Sequence, residues 1–292
     1  MKRLALSALL LSIVAVWGWT FVVVKDAVNA YGVVPFLAIR FLIGSLAIGL
    51  FAARHLTRRS LLVGGLIGFA LASAYLFQTF GVHLTTATNA GLITGLFIVF
   101  APLANRVLFG VRTAALQWTA IAVSLAGLGM LSISEDGSGQ QRLGDALTLG
   151  CAACFGLHIA LLDRHAHRHR ASALAFGQLS SATAVFFVIW AALGAQSPAD
   201  YAVAWPSGQV WFAFAVTGLI ATAAGFFVQT FVQQRLSAVK TAVIIVTEPL
   251  FAALFGYLLH GDRLNATQIA GAVLMIFAVI VAELYPRCRN TS

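Results

Sequence analysis

Ten apolar runs divide this chain. They cover roughly Leu4–Val24, Pro35–Ala53, Leu61–Val82, Thr88–Phe109, Ala114–Ile133, Ala146–Leu162, Ala173–Leu193, Val210–Val232, Val239–Leu259 and Ala266–Leu284. Each is close to the ~20 apolar residues that a helix needs to cross the hydrocarbon of a bilayer. Polar and breaking residues collect between them, at Gly32 to Pro35, Gly110 to Thr113, Glu135 to Gly144 and Ser197 to Pro206. The pattern predicts an all-α integral membrane protein of ten transmembrane helices. The first run follows Lys2 and Arg3, as a leader peptide would. It has no clean small-residue cleavage site and continues through Trp17-Gly18-Trp19, so it reads as a spanning helix.

Composition supports this. The 292 residues are 60% hydrophobic and 9% charged, with mean hydropathy +0.92, against about 25% charged in soluble domains. The formal charge of +9 raises the question of nucleic acid. The basic residues, however, form short clusters between apolar runs and no basic face, which excludes that partner. They follow the positive-inside rule instead. With the N-terminus in the cytoplasm, fourteen Lys/Arg fall on the cytoplasmic side, Lys240 among them. Lys25, Arg142 and Arg263 fall outside, and Arg40 lies within a span. The expected location is a bacterial inner membrane, with both termini cytoplasmic.

The chain also repeats itself. Gln78-Thr79-Phe80 recurs as Gln229-Thr230-Phe231, an offset of 151. At that offset Ala87 matches Ala238, Gly110 matches Gly261, Arg112 matches Arg263 and Gln117 matches Gln268. Trp17-Gly18-Trp19 has a fainter echo in Phe155-Gly156-Leu157 at a different offset. Two five-helix repeats follow, 1–138 and 139–286, in one integrated membrane domain, with a cytoplasmic tail at 287–292. Because five is odd, the second copy enters the bilayer from the opposite side. Such inverted repeats are chiefly a transporter feature, since two half-bundles can exchange conformations around a midplane site. Gly64/Gly68, Gly91/Gly95, Ala221/Gly225 and Ala252/Gly256 supply the small-residue seams that helix association in lipid requires. Gly91 and Gly95 could also leave cavity volume.

Several segments resemble the EamA-type members of the drug/metabolite transporter superfamily, in order and over nearly the whole length. They are Trp17-Gly18-Trp19-Thr20-Phe21, Ala38-Ile39-Arg40-Phe41, the run Ala90 to Phe97, Glu248-Pro249-Leu250-Phe251-Ala252-Ala253, and Gly261-Asp262-Arg263-Leu264, where the family usually has Gly-Glu-Arg-Leu. The YddG-type amino-acid exporters are the most similar branch. The resemblance implies ten helices around a central cavity and movement of small metabolites, often outward. At the 151 offset, Phe97-Ile98 stands where Glu248-Pro249 does, so any polar site is asymmetric.

A charge in hydrocarbon faces a cavity or a partner. Glu248 could bind a substrate amine or carry a proton, or accept hydrogen bonds from groups freed by Pro249. Arg40 could snorkel outward and gate, or grip a carboxylate through its guanidinium fork. Gln78, with Thr79 beside it, and Gln229 suit a polar metabolite or bridge helices. His158 is a packing residue or a proton handler. Trp17, Trp19, Tyr75, Phe97 and Tyr257 are candidate aromatic walls. Trp17 and Trp19 lie ~200° apart on their helix, so one of them at most faces a cavity. Cys151 and Cys154, a C-x-x-C in an Ala-rich span, read as small packing residues. His165, His167 and His169 lack a cysteine or acid to complete a metal site.

No metal or cofactor is expected. An intramembrane enzyme would need a nucleophile–base or metal set, and no H-E-x-x-H, paired intramembrane acid or G-x-S-x-G is present. The sequence therefore reads as a transporter exporting small metabolites, amino acids first and among them aromatic or hydrophobic ones, by alternating access. An intramembrane enzyme, or a drug or other-metabolite permease of the same fold, is the alternative. The expected partners are a small solute and the lipid bilayer, and a monomer suffices.

Overall fold

The computed structural model describes residues 3–84, 93–131, 141–201, 205–260 and 265–283. Lipid offers backbone groups no hydrogen-bond partner, so apolar segments satisfy them internally as helices. Besides the single turn Pro198–Tyr201 and two 3-10 turns, ten apolar helical segments can be followed among the described residues. They are α1 (Arg3–Tyr31), α2 (Val33–Ala52), α3 (Arg58–Leu84), α4 (Ile93–Phe109), α5 (Ala115–Leu131), α6 (Gln141–His165), α7 (Ala171–Gln196), α8 (Gly208–Gln233), α9 (in two pieces, Ala238–Ile245 and Glu248–His260) and α10 (Ala266–Glu283). Six helices are long and apolar enough to cross a membrane, and four more are shorter apolar helices.

The helix ends are chemically marked. Gly32 at φ 75° turns the chain between α1 and α2, and Gly110 at φ 68° closes α4. Both conformations are in the region that only glycine enters freely. Ser237 caps α9 by accepting from the Lys240 amide at 3.4 Å. The repeated glutamine pair has a structural reason. Gln117 Oε1 accepts from the Ala114 amide at 3.0 Å, and Gln268 Oε1 accepts from the Asn265 amide at 2.9 Å. Both glutamines cap a helix start, and at Asn265 the bond is returned, the Gln268 amide donating to Asn265 Oδ1 at 2.9 Å; this element of the repeat starts helices.

Glycines set the closest helix contacts. A Cβ on Gly64 would lie 2.8 Å from Gly177 Cα, which puts α3 and α7 in backbone contact. One on Gly68 would run into the Gln178 backbone, with Cα at 2.7 Å. Backbone cannot step aside, so Gly68→Ala is expected to lower stability by about 1–3 kcal/mol. Gly65→Ala, with nothing within 4 Å, should cost nothing. Thermal melts of the two solubilised variants check this.

One end of the bundle is stitched by polar side chains. Asn105 Nδ2 of α4 donates to Asp163 Oδ2 of α6 at 3.0 Å. Gln233 Nε2 of α8 donates to the Ile159 carbonyl at 3.0 Å, and Gln234 donates to the Ala166 and His169 carbonyls. Lys240, expected among the loop cations, is instead buried at 6% exposure in the first turn of α9. The cap at Ser237 starts the helix early enough to draw it into the packed bundle.

Candidate functional site

Two helices break partway along. In α9, Pro249 has no amide hydrogen, so the Ile245 carbonyl loses its helical partner. The chain turns through Val246 and Thr247. The Thr247 amide bonds the Ile244 carbonyl at 3.2 Å and the Leu250 amide bonds Thr247 at 3.0 Å. The Thr247 hydroxyl adds a bond to the same Ile244 carbonyl at 2.7 Å. In α4 the Leu96 amide bonds Ile93 at 3.1 Å and the Val99 amide bonds Leu96 at 2.9 Å. Each α4 residue is its α9 counterpart less 151. The break therefore recurs at the repeat position, although α4 has no proline there. What differs is the side chain presented, buried Phe97 in one and Glu248 in the other.

Other contacts recur with the halves exchanged. A Cβ on Gly18 would meet Phe251 Cβ at 2.6 Å and the Ala252 nitrogen at 2.8 Å. One on Gly156 would meet Phe100 Cβ at 2.5 Å and the Ala101 nitrogen at 2.8 Å. Trp17 lies against Phe226 with ring centroids 5.7 Å apart, and Phe155 against Tyr75 at 5.5 Å. So α1 packs on α8 and α9 as α6 packs on α3 and α4.

Arg40 sits among these contacts. It is buried at 7% exposure, which overturns the expectation that it snorkels outward. Its Nε donates to Thr222 Oγ1 at 2.8 Å, and its guanidinium lies 5.8 Å from the ring centres of both Phe41 and Tyr75. A nearby acceptor and two ring faces hold it inside. Tyr75 interacts with Arg40, Glu248 and Cys151, which places all four in one neighbourhood. Glu248 feels the Arg40 charge and accepts no hydrogen bond from a described residue. Tyr75 and Glu248 are both half-buried.

The partner of Arg40 comes from an irregular helix. Residues Val216–Ala224 of α8 form a π-helix, a wider turn that absorbs an extra residue and often marks a functional site. The extra residue can be counted. Gly68 packs on the Gln178 backbone and Gly218 on the Arg40 backbone, and Gln78 matches Gln229. Ten positions separate Gly68 from Gln78, and eleven separate Gly218 from Gln229. The insertion delivers two groups inward. The Ala221 carbonyl accepts from Trp17 Nε1 at 2.7 Å, and Thr222 meets Arg40. Trp17→Phe should keep the ring packing and lose only that bond, for about 0.5–1.5 kcal/mol, read as a lower melting temperature.

The remaining candidates separate. His158 is buried and its Nε2 lies 2.9 Å from Gln178 Oε1, while Gln178 Nε2 donates to Thr230 at 2.9 Å. That geometry fits packing. Gln229 is buried at 2% exposure and donates to Gln233, inside the α6–α8 seam. Trp17 is buried and bonded, and Trp19 is half-buried. Gln78 and Thr79 are half-buried on α3. Gly95 leaves no open volume, because Leu128 of α5 occupies the space where its Cβ would be. Tyr257 is 48% exposed on the outside of α9 and lines no internal wall. Gly91 lies outside the described residues. Cys151 is buried and Cys154 half-buried, both free. A groove of about 560 Å³, lined by Ser73, Leu76, Phe77, Phe80, Leu84 and Leu147, lies on the face of α3 opposite Tyr75. It is apolar and suits lipid chains.

Sequence reasoning missed Thr222, Phe155 and Gln178. Gln178 had a signal: it stands 138 after Arg40, the offset that relates Gly18 to Gly156. Thr222 had none, because a π turn shows no periodic signature.

The chain is similar to known proteins over nearly its whole length. A family model described as the EamA-like transporter family matches residues 5–133 and 142–284. An uncharacterized transporter of Archaeoglobus fulgidus is 29% identical over 97% of this chain and 87% of its own. A probable amino-acid metabolite efflux pump of Escherichia coli K12 is 24% identical over 94% of this chain and 93% of its own. The threonine/homoserine exporter RhtA of Salmonella typhimurium is 29% identical over 56% of this chain and 52% of its own. A solved crystal structure superposes with TM-score 0.81 over 96% of this chain and 98% of that one, at 18% identity, a likeness of fold alone.

Proposed function

The chain belongs to the EamA-like transporter family, and on that premise we propose that it exports amino acids across the inner membrane by alternating access. Ten crossings form two five-helix copies of opposite orientation, 1–138 and 139–286. They rock about a midplane site between the broken helices α4 and α9. Both termini face the cytoplasm, as the distribution of Lys and Arg requires.

One observation carries the substrate class: the opposite charges Arg40 and Glu248 lie within electrostatic reach of each other and of Tyr75, and among the described contacts no hydrogen bond joins them. Nε of Arg40 is committed to Thr222 and the Tyr75 hydroxyl also reaches the guanidinium; a carboxylate takes the remaining N–H groups of the fork. Glu248, which accepts no hydrogen bond from a described residue, takes the ammonium group. Phe41, Tyr75 and Phe155 wall the site and favour an apolar or aromatic side chain. A zwitterion supplies both missing partners at once. The relatives named as a probable amino-acid metabolite efflux pump and a threonine/homoserine exporter support that class and the outward direction.

Counterflow in proteoliposomes tests this. Amino acids should accelerate exchange of a preloaded labelled amino acid, whereas their methyl esters and decarboxylated amines should not. Equal exchange of the amines, or of uncharged drugs, would replace this reading with a permease of another class. Uphill solute accumulation driven by an imposed pH gradient identifies proton coupling, and net flux that only equalises the solute whatever the pH gradient identifies facilitated diffusion.

A further inference from the structure

One end of the bundle gathers positive charge in two turns. The α2–α3 turn carries Arg54, His55, Arg58 and Arg59, and the α6–α7 turn carries Arg164, His165, His167, Arg168, His169 and Arg170. Neither turn, 53–60 or 164–171, contains Asp or Glu. Sequence alone leaves the two turns more than a hundred residues apart. The Gly64–Gly177 contact brings them together, because each glycine is the seventh residue of its helix, and the Ser60 carbonyl reaches within 3.2 Å of a Cβ built on Gly177. Arg58, Arg59, Arg168 and Arg170 are all exposed there.

The second turn is held rather than loose. Ala166 is fully buried, and Gln234 of the α8–α9 turn donates to the Ala166 and His169 carbonyls at 3.2 and 3.0 Å. The clustering has an electrostatic consequence at His169. Burial, and then the charges of Arg59, Arg168 and His167, hold its imidazole below the ordinary range. The arginines cannot escape in that way, because a guanidinium does not give up its proton in proteins. They need a counter-anion.

Their height in the bilayer identifies it. Arg54 and His55 close one apolar span and Arg58 opens the next; Arg168 closes another and Ala171 opens its successor. The cluster thus lies where the hydrocarbon ends and headgroup phosphates begin. We propose that these two turns form a binding surface for the phosphate groups of anionic phospholipids, with Arg58, Arg59, Arg168 and Arg170 as its phosphate contacts. An ammonium-bearing zwitterionic headgroup is repelled by the same charges, so phosphatidylglycerol binds in preference to phosphatidylcholine. The guanidinium fork suits a phosphate as it suits a carboxylate. This surface is independent of the transport site and of the solute carried.

The probe is phosphatidylglycerol, added to the whole purified protein in phosphatidylcholine nanodiscs or detergent. Native mass spectrometry should retain phosphatidylglycerol on the wild type, with phosphatidylcholine lost at the same collision energy. The variant with Arg58→Gln, Arg59→Gln, Arg168→Gln and Arg170→Gln should retain it on the order of 100-fold less. Arg106→Gln in the last turn of α4, with Arg112→Gln on the α4–α5 turn, should leave retention unchanged. Inorganic phosphate at millimolar concentration should not displace the lipid; displacement would mean a free-anion site and overturn the proposal. Because four substitutions could disturb insertion, the wild type supplies a second reading. Phosphatidylglycerol in the nanodisc should protect the four arginines from phenylglyoxal while Arg106 and Arg112 react as in phosphatidylcholine. Equal modification in the two lipids, or undiminished retention by the fourfold variant, rejects the surface.

Discussion

Glu248→Gln is expected to lower amino-acid exchange by on the order of 10- to 100-fold without loss of folded protein. The substitution keeps the shape and removes only the charge. A hydrogen bond to a charged group contributes about 1.5–3 kcal/mol, and Glu248 has no described hydrogen bond that would be lost instead. Removing a carboxylate from the bundle interior relieves a desolvation cost, so the melting temperature should hold or rise. That combination, slower transport in a protein at least as stable, separates a binding role from a structural one. Glu248→Asp should fall between, with the charge kept and drawn back by one methylene. Exchange at the wild-type rate in Glu248→Gln would remove this residue from the site, and the zwitterion reading with it.

Arg40→Lys is expected to raise the KM for amino acids at least about tenfold while the charge stays in place. Lysine lacks the planar fork and has no second nitrogen with which to hold Thr222 and a carboxylate together. Thr222→Val tests the same arrangement from the other side. It removes the acceptor of the 2.8 Å bond at nearly constant volume and leaves a buried Arg40 Nε–H unanswered, for about 1–3 kcal/mol. Thr222→Ser restores the hydroxyl and should restore the KM. If Arg40 were only a packing element, Thr222→Val would lower the melting temperature and leave the KM for amino acids unchanged. A KM that moves with Thr222→Val and returns with Thr222→Ser has no explanation in packing alone.

The chain displayed its architecture openly because hydrocarbon imposes one rule on every segment that enters it. A run such as Val33–Ala52 must be apolar and helical, and its ends must be marked by residues such as Gly32 that stop it. Lipid enforces those requirements locally, residue by residue, so they can be read in one dimension. The offset of 151 could be read for the same reason, as Gln117 and Gln268 repeat because both start a helix. The unusual residues Arg40 and Glu248 also stood out, since few charges enter a span at all.

Which way those side chains turn was a different kind of question. Arg40 could reach headgroups or a partner from the same helix position, and only the presence of Thr222, 182 residues away, decided it. Gly95 and Tyr257 carried plausible residue types, yet Leu128 fills the space at one and the other lies on the outside of α9. The sequence by itself determined the membrane class and the all-helical architecture, because each follows from the solvent around a single segment. Only the tertiary structure decided the site. Burial, bonding and facing direction depend on neighbours from other helices, and a one-residue π insertion in α8, with no mark in the hydrophobic pattern, sets which neighbours those are.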